Sequence, residues 1–472
     1  MRRLSRPGHW VTFAVLIGLA LRAYHYLRCP PVWHDEAALV VNVLKLSYAE
    51  MLGPLLHAEA APPLFLWLER AAVLALGDGE YALRLVPFLA SCLALVTFAA
   101  LARRTLGPHA AALAVGLFAV SDRLLWHASE AKPYSLDVLV AVAAGWWFTH
   151  TMNWQLWRRC LPAAAAAPLA LWASYPACFV FGGLLLGLLP SAILRRASWR
   201  DRAAFGVLAI TVGLAFVALA LGPAAAQRNG AMDSCWSDHF PDWSRPWVVP
   251  VWAAAGTFEV ARYCLVPAGQ VAVLLAIVGA VSFGRRGRGQ FVWVLLAPVG
   301  LALVAALLHK YPYGGSRLEV FAAPAVCLLT AEGLRRVLPW VARRSRASAA
   351  VVMAIALAPV GQAAYRTAMP WDCTGCDEAA EFVLRHRGSA DPVLVNAWEY
   401  EYYLRSIPGG WRSWAGRFEP ADLAGERVWV VHTDQRVTGQ FSFPVPAGWK
   451  VVGGRVVQTT LVVLLQRSTV GE

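Results

Sequence analysis

The chain has 472 residues, 58% hydrophobic and only 15% charged, with a formal net charge of +13. Soluble globules carry about 25% charged residues, which excludes a string of ordinary water-soluble domains, a disordered chain and a coiled coil; 37 Gly and 29 Pro are too few for a collagenous or low-complexity chain. What remains is a polytopic membrane protein, and whether +13 marks a nucleic-acid partner depends on where the Lys and Arg lie.

A bilayer crossing needs about 20 apolar residues in helix. In chain order, crossings are predicted at 10–27, 82–102, 108–121 and 134–152. The charge-free stretch 160–194 is too long for one span and is broken at Ser174-Tyr175-Pro176, because Pro interrupts a helix and biases its neighbour to extended backbone. Further spans follow at 203–227, 263–284, 289–308, 319–338 and 347–365, giving about eleven. Residues 62–77 are apolar but short and carry Glu69-Arg70, so they read as an interfacial helix. From about Arg366 the composition changes: 393–397, 428–433, 450–458 and 460–466 are Val-rich and strand-like, and 378–386 reads as a helix. The expected fold class is mainly α: a polytopic helical bundle over 1–365, with a first loop at 29–81, and a small soluble α/β cap over 366–472.

The charges then sort themselves. Segments 1–8, 103–109, 153–160, 195–202, 284–290 and 335–346 hold nineteen Arg against one Asp, whereas the alternate connections hold Asp35, Glu36, Glu50, Glu59, Glu130, Asp233, Asp238 and Asp242. Every second connection is basic, as the positive-inside rule requires. Counting 62–77 as a span would invert every later loop. The N-terminus is therefore expected in the cytoplasm and the C-terminal cap outside. Arg2 and Arg3 before an apolar run also resemble a signal peptide, but no small-x-small cleavage site follows, so an uncleaved anchor is expected. The basic segments account for +18 and leave −5 for the rest. Nucleic acid is thus excluded as a partner, and anionic membrane lipids are the natural contact of the positive charge.

Three outward connections hold polar residues that a connector does not need. The first contains Pro30-Pro31-Val32-Trp33-His34-Asp35-Glu36 and, further on, His57-Ala58-Glu59-Ala60-Ala61-Pro62-Pro63. A plain reading makes Asp35 an N-cap and Glu36 a first-turn acid complementing the helix dipole. A functional reading makes them reactive carboxylates at the lipid–water boundary. His57 and Glu59 could join Asp35 or Glu36 on a divalent cation, although two separated clusters show loose ligand logic; the alternative is a solvated linker. The second connection holds Trp126-His127-Ala128-Ser129-Glu130-Ala131-Lys132-Pro133-Tyr134, where Lys132 either meets a lipid phosphate or snorkels. The third is His309-Lys310-Tyr311-Pro312-Tyr313-Gly314-Gly315-Ser316-Arg317, whose Arg317 offers a fork for phosphate oxygens. All three fall on one face, which suits an enzyme acting on a lipid-carried substrate. A transporter would hold its polar groups near the midplane on broken helices; a transporter or flippase of lipid-linked sugars is the alternative. A non-catalytic receptor leaves the clustered motifs unexplained.

At these residues the sequence resembles the GT-C superfamily, polytopic glycosyltransferases that use polyprenyl-phosphate sugars, and within it the protein-mannosyltransferase and lipid A aminoarabinose-transferase group. Asp35-Glu36, Pro62-Pro63-Leu64, Ala128-to-Tyr134 and Tyr311-to-Arg317 match in order, over roughly residues 10–340. The resemblance implies that Asp35 is the catalytic base, that Glu36 assists, and that Lys132 and Arg317, with Tyr134 beside Lys132, hold the donor phosphate. It leaves His34, His57, Glu59, Tyr311 and Tyr313 as further substrate-binding candidates. Two departures bear on donor identity: Lys132 stands where many relatives carry Arg, and Ala60-Ala61 stand where the aminoarabinose transferases have an acid–Lys pair. The implied partners are a polyprenyl-phosphate sugar and an extracytoplasmic acceptor (lipid, glycan or protein). No cofactor is implied with certainty.

Of nine cysteines, Cys92 and Cys327 lie in spans; Cys373-Thr374-Gly375-Cys376 suggests a local disulfide, and Cys235 with Cys264 is a second candidate pair. None of the four Asn begins an Asn-x-Ser/Thr sequon, which favours a bacterial plasma membrane over a secretory pathway.

Overall fold

The computed structural model describes residues 7–194, 197–371, 374–407, 409–419, 421–423, 425–434 and 445–468. Helices α1 (Pro7–Arg28), α2 (His34–Lys45), α3 (Pro63–Leu76), α4 (Glu80–Leu83), α5 (Leu85–Thr105), α6 (Pro108–Val120) and α7 (Asp122–His127) come first. They are followed by α8 (Tyr134–His150), α9 (Leu156–Ala173), α10 (Ala177–Leu189), α11 (Trp199–Leu221), α12 (Pro223–Gln227), α13 (Gly230–Cys235) and α14 (Val249–Cys264). After α15 (Gly269–Arg285), α16 (Gly289–Leu307), α17 (Ala323–Arg344) and α18 (Arg346–Ala368), the remainder alternates: α19 (Cys376–His386), β1 (Val393–Val395), α20 (Glu399–Tyr403), β2 (Trp411–Ser413), β3 (Arg427–Thr433), β4 (Trp449–Val457) and β5 (Thr460–Arg467).

A helix occupies each of the eleven stretches read as crossings, and α9 and α10 are separated at Ser174-Tyr175-Pro176. Among the described residues, five helices are by themselves long and apolar enough to cross a membrane, or six if one bent pair counts as a span; Pro108–Val120 and Ala177–Ile193 are shorter apolar helices. The bent pair corrects the sequence reading. A single span was expected from 263, but the structure places α14 before it, and Pro246–Cys264 meets Gly269–Arg285 at 104°. Pro267 lies in the break and cannot continue a helical ladder. Among the cysteines, Cys235 is exposed and Cys264 buried, and both are free, so the candidate bridge between them is absent. Cys373 lies outside the described residues.

The described residues fall into two compact units: Met1–Cys29 with Leu46–Met369, and Pro30–Lys45 with Pro370–Glu472. Within the first, hydrogen bonds tie the basic segments together. Arg288 donates to the Thr105 carbonyl (2.6 Å), Arg104 to that of Thr149 (3.4 Å), and the Trp157 N–H to Asp201 (3.0 Å). Glu332, fully buried, accepts from Arg335 and pairs with Arg286, both within 2.9 Å. Five of the six Arg-rich segments thus gather at one end of the bundle. The exception, residues 1–8, lies mostly outside the described residues. Arg22, buried within α1, donates from Nε to Ser91 Oγ (2.8 Å) and from one terminal nitrogen to the carbonyls of Gly18 and Ala119. A charge inside a bundle requires such internal partners.

Helices α15 and α17 cross so closely that their backbones touch. A Cβ on Gly279 would lie 2.1 Å from the Leu329 carbonyl oxygen, and one on Gly333 would lie 1.9 Å from that of Leu275. Helix pairs in membranes use small residues for such approaches. Gly333→Ala is therefore expected to destabilise by about 1–3 kcal/mol through overpacking, read as a lower thermal midpoint of the purified protein. A change as mild as Gly361→Ala, where open space surrounds the Cβ position, would argue against a close crossing.

In the second unit the sheet order is β2-β1-β3-β5-β4. Strand β1 pairs in parallel with β2 and β3, and β5 runs antiparallel to β3 and β4. Alternate residues of β3 face opposite sides. Trp429 and Val431 join Ala379, Ala380 and Val383 of α19, and Val428 and Val430 join Leu394, Trp414 and Leu465. Burial on both faces explains why the strand reads as an unbroken apolar run. The sequence reading groups residues 29–81 with the membrane part. In the structure α2 instead packs on α20, with Glu36 through Val43 buried.

Candidate active site

In the first unit, three sequence-distant strings converge. Ser121 caps α7 by accepting from the Leu124 N–H, and the chain then turns through 128–133 into α8. His127 organises that turn. Its Nδ1 lies 2.6 Å from Glu130 Oε2 and its Nε2 lies 2.8 Å from the Tyr263 hydroxyl. Its ring packs against Tyr134 at 4.6 Å, and its carbonyl accepts from Ser135 at 2.8 Å. Glu130, Lys132 and Tyr134 are all buried. The buried Lys132 ammonium pairs with Glu59, which joins the second string to the first. The carboxylate that one reading made a cation ligand therefore faces an ammonium. Among the described residues no group of three or more His, Cys, Asp or Glu side chains gathers to hold a metal.

His57 and Ala58, immediately before Glu59, both hold left-handed backbone, with φ of 58° and 53°. Each such non-glycine residue costs about 1–3 kcal/mol and persists only where its surroundings over-determine it. Here they do. Glu59 accepts from the Ala60 N–H at 3.0 Å, the Ala61 N–H donates to Gln227 Oε1 at 3.1 Å, and the Tyr175 hydroxyl reaches both Gln227 (2.5 Å) and the Ala61 carbonyl (3.0 Å).

The third string turns through Gly314-Gly315. Gly315 has φ +78°, and a Cβ there would lie 2.2 Å from the Glu259 backbone, so only glycine fits. Ser316 and Glu319 then form a capping box at Arg317–Ala322. The Arg317 guanidinium lies over the Trp236 ring at 5.5 Å, and its charge, like those of Arg123 and Glu130, acts on the Tyr263 hydroxyl. Tyr311 donates to the Leu318 carbonyl (2.9 Å) and meets Phe179 edge-on. Tyr313 is buried, with its hydroxyl 2.9 Å from Thr257 Oγ1. Burial pushes the Tyr313 phenol up to about 12 and raises that of Tyr311 well above its ordinary value. The Tyr311 hydroxyl thus spends its proton on a protein carbonyl, and the Tyr313 hydroxyl pairs with a protein hydroxyl.

Asp35, Glu36 and His34 belong to the second unit. Helix α2 begins at His34, so both acids sit in its first turn and Asp35 is not an N-cap. Asp35 is half-exposed and Glu36 is buried. The His34 ring stacks on Trp398 with centroids 3.9 Å apart, and its Nδ1 lies 3.0 Å from Glu399 Oε1.

Sequence reasoning missed Arg123, stacked on Trp126 (4.9 Å) and Tyr263 (5.2 Å), as well as Tyr175, Gln227 and Tyr263. An arginine two residues into an outward connection was the one available signal. The other three sit at predicted span ends and look like ordinary boundary residues.

This arrangement, a many-helix membrane bundle with a small C-terminal α/β domain, is the GT-C fold. The family described as dolichyl-phosphate-mannose-protein mannosyltransferase matches residues 60–221. ArnT from Cupriavidus metallidurans bound to undecaprenyl phosphate is similar in structure, with a TM-score of 0.56 at 12% identity, over 97% of this chain and 98% of that one. The same protein in the apo state gives 0.51 at 14% over the same shares. The Archaeoglobus fulgidus oligosaccharyltransferase tethered with an acceptor peptide gives 0.50 at 11%, covering 85% of this chain, which spans 63% of that one. No curated protein sequence matches. In fold the chain is similar to these membrane glycosyltransferases, and its apolar helices are those of a multi-pass membrane protein.

Proposed function

We propose that this chain is an integral-membrane glycosyltransferase, a hexosyl- or pentosyltransferase, that moves a sugar from a polyprenyl phosphate to an acceptor outside the cytoplasm. The observation that carries the reading is the convergence in the first unit of the strings around Glu59, Lys132 and Arg317. These strings are far apart in sequence, and Lys132 pairs with Glu59 across them. The family match over 60–221 and the likeness to ArnT, which was solved with undecaprenyl phosphate, support a lipid-phosphate donor.

The chemistry follows from the leaving group. Sugar transfer passes through an oxocarbenium-like transition state. As the acceptor oxygen forms its bond to the anomeric carbon, the bond to the phosphate oxygen breaks and its electron pair leaves with the polyprenyl phosphate. That leaving group needs no protonation; it needs cations placed where charge develops, the role of Lys132 and Arg317 with Tyr134 beside them. The acceptor proton goes to Asp35, assisted by Glu36, and a single displacement inverts the anomeric centre. The chain resides in a bacterial plasma membrane, with its N-terminus in the cytoplasm and its C-terminal domain outside.

Reconstitution in vesicles with a panel of polyprenyl-phosphate sugars and mass spectrometry of the products tests this. A new glycosidic bond and free polyprenyl phosphate are expected. Movement of intact donor between leaflets with no bond broken would establish the flippase reading instead.

A further inference from the structure

Residues 30–45 belong by sequence to the loop after α1, yet they fold with the C-terminal domain through three specific attachments. Ahead of α2, the Tyr403 hydroxyl accepts from the Val32 N–H (2.6 Å) and donates to the Val32 carbonyl (3.2 Å). At the first residue of α2, His34 meets Glu399 and stacks on Trp398, whose indole N–H donates to the His34 carbonyl at 2.6 Å. At the last residue, Lys45 pairs with Glu401. Helix α20 is thus a short bracket laid along α2.

The middle attachment is the unusual one. Glu399 is fully buried, and among the described residues its Oε2 makes no hydrogen bond. Burying a carboxylate is costly, and a hydrophobic side chain of similar volume often packs there at no loss. Glu399 is therefore poorly explained by packing. What it does is fix the rotation of the His34 ring, held on its face by Trp398 and at its edge by the carboxylate. Asp35 is the next residue, so the same contacts hold the backbone that carries its side chain.

We infer that Glu399 and Trp398 are positioning residues: by clamping His34 they fix the first turn of α2 and aim Asp35. This rests on the reading of Asp35 as the base. Reactive groups must be held within about 0.5 Å of productive geometry, and a misplacement of about 1 Å costs about 10²-fold.

The full-length protein in lipid nanodiscs allows two readouts. One is hydrogen exchange of residues 34–45, which needs no substrate; the other is transfer kinetics with the donor. Glu399→Ala is expected to speed exchange in α2 at least about tenfold while β1 and β3 stay protected. It should also lower kcat at least about tenfold with donor KM within about twofold. Glu399→Gln keeps an oxygen that accepts from His34 Nδ1–H and should hold both quantities within about threefold. His34→Ala removes the pair from its more exposed side and should reproduce Glu399→Ala even if that variant folds poorly. Unchanged exchange in α2 in either alanine variant overturns the clamp. Loosened α2 with unchanged kcat would leave the clamp standing and remove Asp35 as the base.

Discussion

Asp35→Asn is expected to slow sugar transfer by at least about 10²-fold, the lower end of what a positioned general base contributes, with the protein still folded and inserted. The substitution is nearly isosteric, and Asp35 is half-exposed in the first turn of α2. The lost interaction with the helix dipole costs about 0.3–1 kcal/mol. Glu36→Gln serves as the comparison, because Glu36 is buried. An unaltered thermal midpoint with transfer lost identifies a chemical role, whereas full transfer by the Asp35→Asn protein would remove the mechanism.

Lys132→Ala is expected to raise donor KM at least about tenfold, and also to destabilise the protein by about 1–3 kcal/mol, because it strips the partly buried Glu59 carboxylate of the buried ammonium it faces. The double variant Glu59→Ala/Lys132→Ala separates the two effects. It should recover most of the stability and none of the donor binding. A double variant with wild-type donor KM would make the Lys132–Glu59 pair purely structural. Glu59 occupies the ammonium in this structure, so a donor phosphate must share Lys132 with it or displace it.

Local pattern made much of the architecture readable. The strands near 393, 428, 450 and 460 were legible because their Val runs are bounded by Gly and Pro, and the α9–α10 break because Pro176 lies within a charge-free stretch too long for one helix. Charge alternation anticipated that basic segments meet at one end, as the bonds between Arg288 and Thr105 and between Trp157 and Asp201 show. Helix α14 was hidden because Pro250, Glu259 and Arg262 make it resemble a connection. With three residues in β2 and five in α20, neither completes enough of a period to be read. The site's polar residues were legible by type, but their partners were not. Lys132 finds Glu59 across 73 residues, and His127 finds Tyr263 across 136. No window along the chain contains both members of such a pair.

The bracket on α2 also has a consequence for biogenesis. Lys45 and Glu401 are 356 residues apart, and His34 and Glu399 are 365 apart. Contacts this distant in sequence form late, because their closure entropy must be met before they contribute. During synthesis α2 emerges among the first elements and waits for nearly every transmembrane helix to be inserted before α20 exists. Completion of the last hundred residues then becomes the step that assembles the loop carrying Asp35, so a chain still being made, or one cut short before α20, holds that carboxylate without its bracket.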